Sequence, residues 1–162
     1  MTMVKMKKRQ HGYCSAVVVK AKTGEQKQLA LWKHNLLTDA GKDWMHAQVY
    51  TNTSAGTRGA GFVASTESTI TPAAGDTTLT GEITTNGLAR ADATTKSHTA
   101  AANTTTIEHT FTASGSFTNV KASALFNASS AGTMPHEANF GTGSGTLASN
   151  DTLKITWTLT LS

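Results

Sequence analysis

The sequence predicts a mainly β protein: a single antiparallel β-sandwich with one short α-helix, over about 39–49, and a basic N-terminal arm. Three observations predict it. Period-two alternation runs through 151–162, where Leu153, Ile155, Trp157, Leu159 and Leu161 take every second place and Thr152, Lys154, Thr156, Thr158 and Thr160 lie between them. Alternation of that length is a strand buried on one face and wet on the other. Composition points the same way: 38% hydrophobic, 6% aromatic and 15% charged residues leave room for 30 threonines and much Ala, Gly, Ser and Asn. Threonine is β-branched and suits strands, while Gly and Asn suit turns. The strand-like runs are also punctuated by short turns such as Ser114-Gly115-Ser116, as antiparallel sheets require. A chain of 162 residues fits one domain, divided here into an arm over 1–12 and a sandwich over 13–162.

The elements follow in order. Val17, Val18 and Val19 mark a β-branched strand over 14–20, and Lys22-Thr23-Gly24-Glu25 turns the chain. A returning strand over 27–33 completes a hairpin, with Leu29 and Leu31 expected on one face and Ala30 and Trp32 on the other. Thr38 or Asp39 can cap the helix, whose apolar face is Ala40, Trp44 and Ala47. Gly41 weakens it. A Gly, Ser and Thr loop over 51–61 precedes a short strand at Phe62-Val63-Ala64. Pro72 and Gly75 make 71–76 a turn-rich connection, and 79–83 and 88–95 are weaker strand candidates. Residues 106–113 alternate Ile107, His109, Phe111 and Ala113 against Glu108, Thr110 and Thr112; a strand over 117–127 follows, with Ala122, Ala124 and Phe126 inward.

The net charge of +4 is uneven. Residues 1–50 hold nine lysines and arginines against Glu25, Asp39 and Asp43, and the density peaks at Lys5, Lys7, Lys8 and Arg9. Such an arm seeks an anionic partner. It lacks interleaved aromatics, so nucleic acid is not the expected one. The run after it is interrupted by Lys20 and Lys22, too short and polar for a secretory h-region. No apolar run reaches the roughly 18 residues of a membrane helix, and no membrane partner is expected.

The residues offer no enzyme constellation. Gly141-Thr142-Gly143-Ser144-Gly145 fits neither the dinucleotide fingerprint nor a P-loop and reads as a hairpin loop. His136-Glu137 lacks a second histidine and follows Pro135. His109 reads as a core histidine, and a lone Cys14 supports neither a disulfide nor a thiolate cage. No catalytic residue, metal ligand or cofactor is therefore expected. Tyr13, Trp32, Tyr50 and Phe140 are the aromatics most readily assigned to an interface.

Several blocks stand out in order along the chain. They are Asn35-Leu36-Leu37-Thr38-Asp39-Ala40-Gly41-Lys42-Asp43-Trp44, then Thr71-Pro72-Ala73-Ala74-Gly75-Asp76-Thr77-Thr78-Leu79, Glu82-Ile83 and Gly87-Leu88-Ala89-Arg90. Next come Ala124-Leu125-Phe126-Asn127-Ala128-Ser129 with Gly132-Thr133-Met134, and last Asn150-Asp151-Thr152-Leu153-Lys154-Ile155-Thr156-Trp157. Together these blocks resemble a family of small structural proteins encoded by tailed bacteriophages and prophages, and the resemblance implies a non-enzymatic virion component, assembled in the host cytoplasm, with partners among its own copies and other virion proteins. The expectation drawn from it is a capsid decoration or cement protein. Its arm, Lys5, Lys7, Lys8 and Arg9, would grip the major capsid protein. A tail or fibre-base protein contacting tail proteins is the alternative. A carbohydrate- or receptor-binding module using Trp, Tyr and the loops near Arg58 and Gly143 is the reading from another class.

Overall fold

The computed structural model describes residues 10–41, 59–98, 104–141 and 145–161. These form twelve strands: β1 (Gln10–Val19), β2 (Gln26–His34), β3 (Leu36–Leu37), β4 (Phe62–Thr66), β5 (Ala91–Asp92), β6 (Thr95–His98), β7 (Thr104–Thr112), β8 (Phe117–Val120), β9 (Ala122–Phe126), β10 (His136–Asn139), β11 (Gly145–Leu147) and β12 (Thr152–Leu161). A first sheet runs β2-β1-β12-β7-β6 and a second runs β3-β10-β9-β4-β5, while β11 and β8 make a two-stranded ribbon. All pairings are antiparallel. The expected mainly β, sandwich-like fold is what these residues adopt.

The main core lies between the two sheets. From the first come Cys14, Ala16, Val18, Ile107, Phe111, Leu153, Ile155 and Trp157; from the second, Val63, Leu125 and Ala138. A second, smaller core covers the other face of the second sheet, where Phe62, Ala64, Ala122, Ala124 and Phe126 meet Ile70, Leu79 and Met134 from the irregular connections. Every residue of β4 and β9 is consequently buried. The result is three layers: sheet, sheet, and a cover of loops.

Several expectations need correction. In β2, Leu29 and Ala30 are both buried while Leu31 is 64% exposed. The β1–β2 register slips between Ala16 and Val17 and again between Cys14 and Ala16, and each extra residue reverses the inside–outside phase. β1 begins at Gln10, where Gln10, His11 and Gly12 pair with Leu161, Thr160 and Leu159. The strand expected over 117–127 breaks at Lys121, whose N–H goes to Thr66 O (2.9 Å) and whose carbonyl takes Phe140 N–H (2.7 Å). There the chain passes from the ribbon to the second sheet.

Of the weaker candidates, 79–83 is a turn with one isolated bridge from Glu82 to Thr66, while 88–95 holds β5 and the start of β6. Leu88 N–H closes onto Thr85 O (3.2 Å) around Asn86 and Gly87, both at positive φ, the geometry of a type I′ turn. Of the expected helix, residues 39–41 are helical and 42–49 lie outside the described residues. Its cap is Thr38, whose Oγ1 accepts Gly41 N–H at 3.0 Å. Gly41 is there because a Cβ would stand 2.7 Å from Pro135 Cα.

Candidate functional site

The residues assigned to partner contact fall in different places. Lys5, Lys7, Lys8, Arg9 and Tyr50 lie outside the described residues, as do 142–144 of the glycine-rich loop. Trp32 belongs to β2. Tyr13 stands on the outer face of β1, 36% exposed, with its ring edge-on to His34 at 5.6 Å. Phe140 is a correction: it is 0% exposed and part of the main core. Enclosed there, its ring presents no surface to a partner. His109 sits against Phe111 at 4.4 Å; burial lowers its pKa, opposed by a backbone hydrogen bond at Asp92. Burial pushes the Cys14 thiol far up, leaving it unreactive.

The described charged side chains mostly tie loops down. Arg90 donates Nε and Nη2 to the two oxygens of Glu82 (2.8 and 2.5 Å) and Nη1 to the carbonyls of Ala128 (3.1 Å) and Ala131 (2.7 Å). Its guanidinium also lies 3.4 Å from the centre of the Phe126 ring. Asp151 accepts from Lys20 Nζ (2.8 Å), Ala21 N (2.8 Å) and Ala148 N (2.9 Å). The Lys20 bond and the two backbone donors hold its pKa near 2. Glu67 Oε1 accepts from Thr118 N (2.8 Å) and Asn119 N (3.0 Å). Asn127 Oδ1 accepts Thr133 N at 2.7 Å.

Sequence reasoning missed this role. Glu82, Arg90, Phe126, Asn127, Thr133 and Asp151 all fall within the resemblance blocks, and the fold uses them as fastenings between loops and sheet. Sequence separation within these pairs reaches 131 residues, so no local pattern announces them.

What remains outward is the exposed face of the first sheet. Residues opposite one another across β1, β12 and β7 share a face, giving four rows: Tyr13, Thr158, Thr106; Ser15, Thr156, Glu108; Val17, Lys154, Thr110; and Val19, Thr152, Thr112. β6 extends two of them, with Ser97 beside Thr106 and Thr95 beside Glu108. Lys154 and Glu108 neutralise each other at 2.9 Å, and Thr156 Oγ1 donates to the same carboxylate. The rows carry no net charge and are mostly short hydroxyls, with Val17, Val19 and the Lys154–Glu108 pair among them and Tyr13 at one end of its row.

Among the described residues, no three His, Cys, Asp or Glu side chains are grouped to hold a metal. No helix among them is long and apolar enough to cross a membrane. No family model, curated protein or solved structure matches the chain.

Proposed function

We propose that this protein acts by surface contact as a structural component of a tailed-phage particle, in the role of a capsid decoration or cement protein. The observation that carries the reading is the threonine face of the first sheet. Threonine is stiff about χ1, so ordering it against a neighbour costs less side-chain entropy than ordering Lys or Glu. The one central ion pair there, Lys154–Glu108, leaves no uncompensated charge in the rows. A face of this kind suits repeated contact with identical subunits or a shell. The block resemblance supports the same reading. The basic residues Lys5, Lys7, Lys8 and Arg9 are assigned to the shell contact, each weak alone and additive over many copies.

The test is a deletion of residues 2–9, which leaves β1 intact from Gln10. Truncated protein is expected to lose particle occupancy while retaining wild-type thermal stability. Full occupancy by the truncated protein would contradict the assignment to the arm. Recovery of the protein with purified tails, and not with heads, would move it to the tail or fibre base.

A further inference from the structure

Glu137 presents a carboxyl that is 2% exposed toward the loop cover of the second sheet. Above it lies the strap 70–76, fastened at three points. Asn139 Nδ2 donates to Ile70 O (2.6 Å), Asp39 N donates to Ala74 O (2.7 Å), and Ala73 N is shared between Asp76 Oδ2 (2.9 Å) and Glu137 Oε1 (3.1 Å). One N–H therefore serves two carboxyl groups and brings an oxygen of each to the same point, where the two groups can share a proton. Two carboxylates have no hydrogen to share, so a bond between them requires that one be protonated.

The geometry points to a proton latch: Glu137 bound to Asp76 holds the strap 70–76 on the second sheet, and loss of the shared proton releases it. This inference is independent of the proposed function. The latch is set for neutral pH because burial first, and Asp76 second, raise Glu137 to about 7. Among the described residues, the cation beside the strap is Lys121, whose Nζ donates to Thr69 Oγ1 (3.0 Å) just before Ile70 and pairs with neither carboxyl. Asp39, beside Ala74, is another acid, while β9 offers Ala122 and Ala124 on this face. His136 lies on the opposite face of β10, against Trp157. The described ion pairs of Lys20, Arg90, Lys96 and Lys154 are all with other acids. Once both carboxyls are charged, repulsion acts under the strap. Ile70, which seals the second core, lifts with it.

The test is amide hydrogen exchange of Asp39 and Ala73, expressed as protection relative to the intrinsic rate at each pH. In the wild-type protein, protection is expected to fall by up to about tenfold per pH unit between 4.5 and 7, and to level off above. His136 stays buried in this local opening and adds no slope. Glu137→Gln keeps the shape without the proton and is expected to give a flat profile. Asp76→Asn, whose amide donates to an ionised Glu137, is expected to shrink the slope, burial of Glu137 supplying what remains, so either variant tests the latch if the other does not fold. Flat wild-type protection, or an unchanged slope in a folded variant, would overturn the latch.

Discussion

His136 and Glu137 are adjacent in β10 and point to opposite sides of it, the imidazole into the core between the sheets and the carboxyl under the loop cover. They are 3% and 2% exposed. The imidazole hydrogen-bonds Asn35 Nδ2 through Nδ1 at 2.8 Å. Both side chains are kept neutral, since burial lowers His136 to about 4 and, with Asp76, raises Glu137 to about 7. Their effects on stability have opposite signs. As pH falls from 6.5 to 4, the unfolded chain protonates the histidine and the folded chain does not, so the His136 contribution is lost. As pH rises from 4.5 to 7, the unfolded chain releases the glutamate proton and the folded chain keeps it, so the Glu137 contribution is lost.

The His136 and Glu137 slopes are therefore expected to oppose each other between pH 4.5 and 6.5, leaving in global stability the upward slope that half-buried His109 adds. Urea unfolding of Glu137→Gln should uncover the histidine slope, rising with pH up to 6.5. His136→Gln should uncover the glutamate slope, falling up to about 7. Each uncovered slope is at most about 1.4 kcal/mol per pH unit. Parallel profiles for the two variants would contradict the opposition.

Arg90 fastens Glu82, two carbonyls and the Phe126 ring at once. Arg90→Ala is expected to cost about 3 kcal/mol, because Glu82 keeps a partly buried charge with no partner. Arg90→Lys should recover only part of this, having a single donor centre in place of the planar fork. Urea midpoints at unchanged m-value measure both.

Asp151 contributes stability that is complete above its ordinary value of 3.8 and is lost as pH falls toward 2. Asp151→Asn should be less stable than wild type at pH 6, and its stability should change less between pH 4 and 2. Acid titration followed by the fluorescence of buried Trp157 reads the difference.

How much of this was legible in the sequence depended on which faces of a strand are buried. β12 was plain because Thr and Leu alternate in water and core. β4 and β9 are buried on both faces, so they carry no alternation, and Ala122 to Phe126 read as half of a longer strand. The hairpin was legible but its faces were not, since the two register slips in β2 leave no mark in composition. The site fared differently. Charge placed an arm whose residues lie outside those described, and it said nothing of Glu137, whose role arises only when Ala73 and Asp76 are folded over it. Phe140 looked like a spare aromatic because the core it fills is assembled from distant strands.

That correction has its own check. Phe140→Ala is expected to cost about 3–5 kcal/mol, as for a fully buried ring. Leu31→Ser, on the exposed phase of β2, should stay within about 0.5 kcal/mol. Thermal and urea unfolding of the two variants should separate them clearly, and equal effects would contradict the placement of either residue.

The central claim, a protein that works by contact within a phage particle, is tested most directly by quantitative mass spectrometry of purified heads and tails from a producing lysate. The account predicts many copies on each head, stoichiometric with the shell. Its complete absence from both fractions, with all of the protein free in the lysate, would contradict the account.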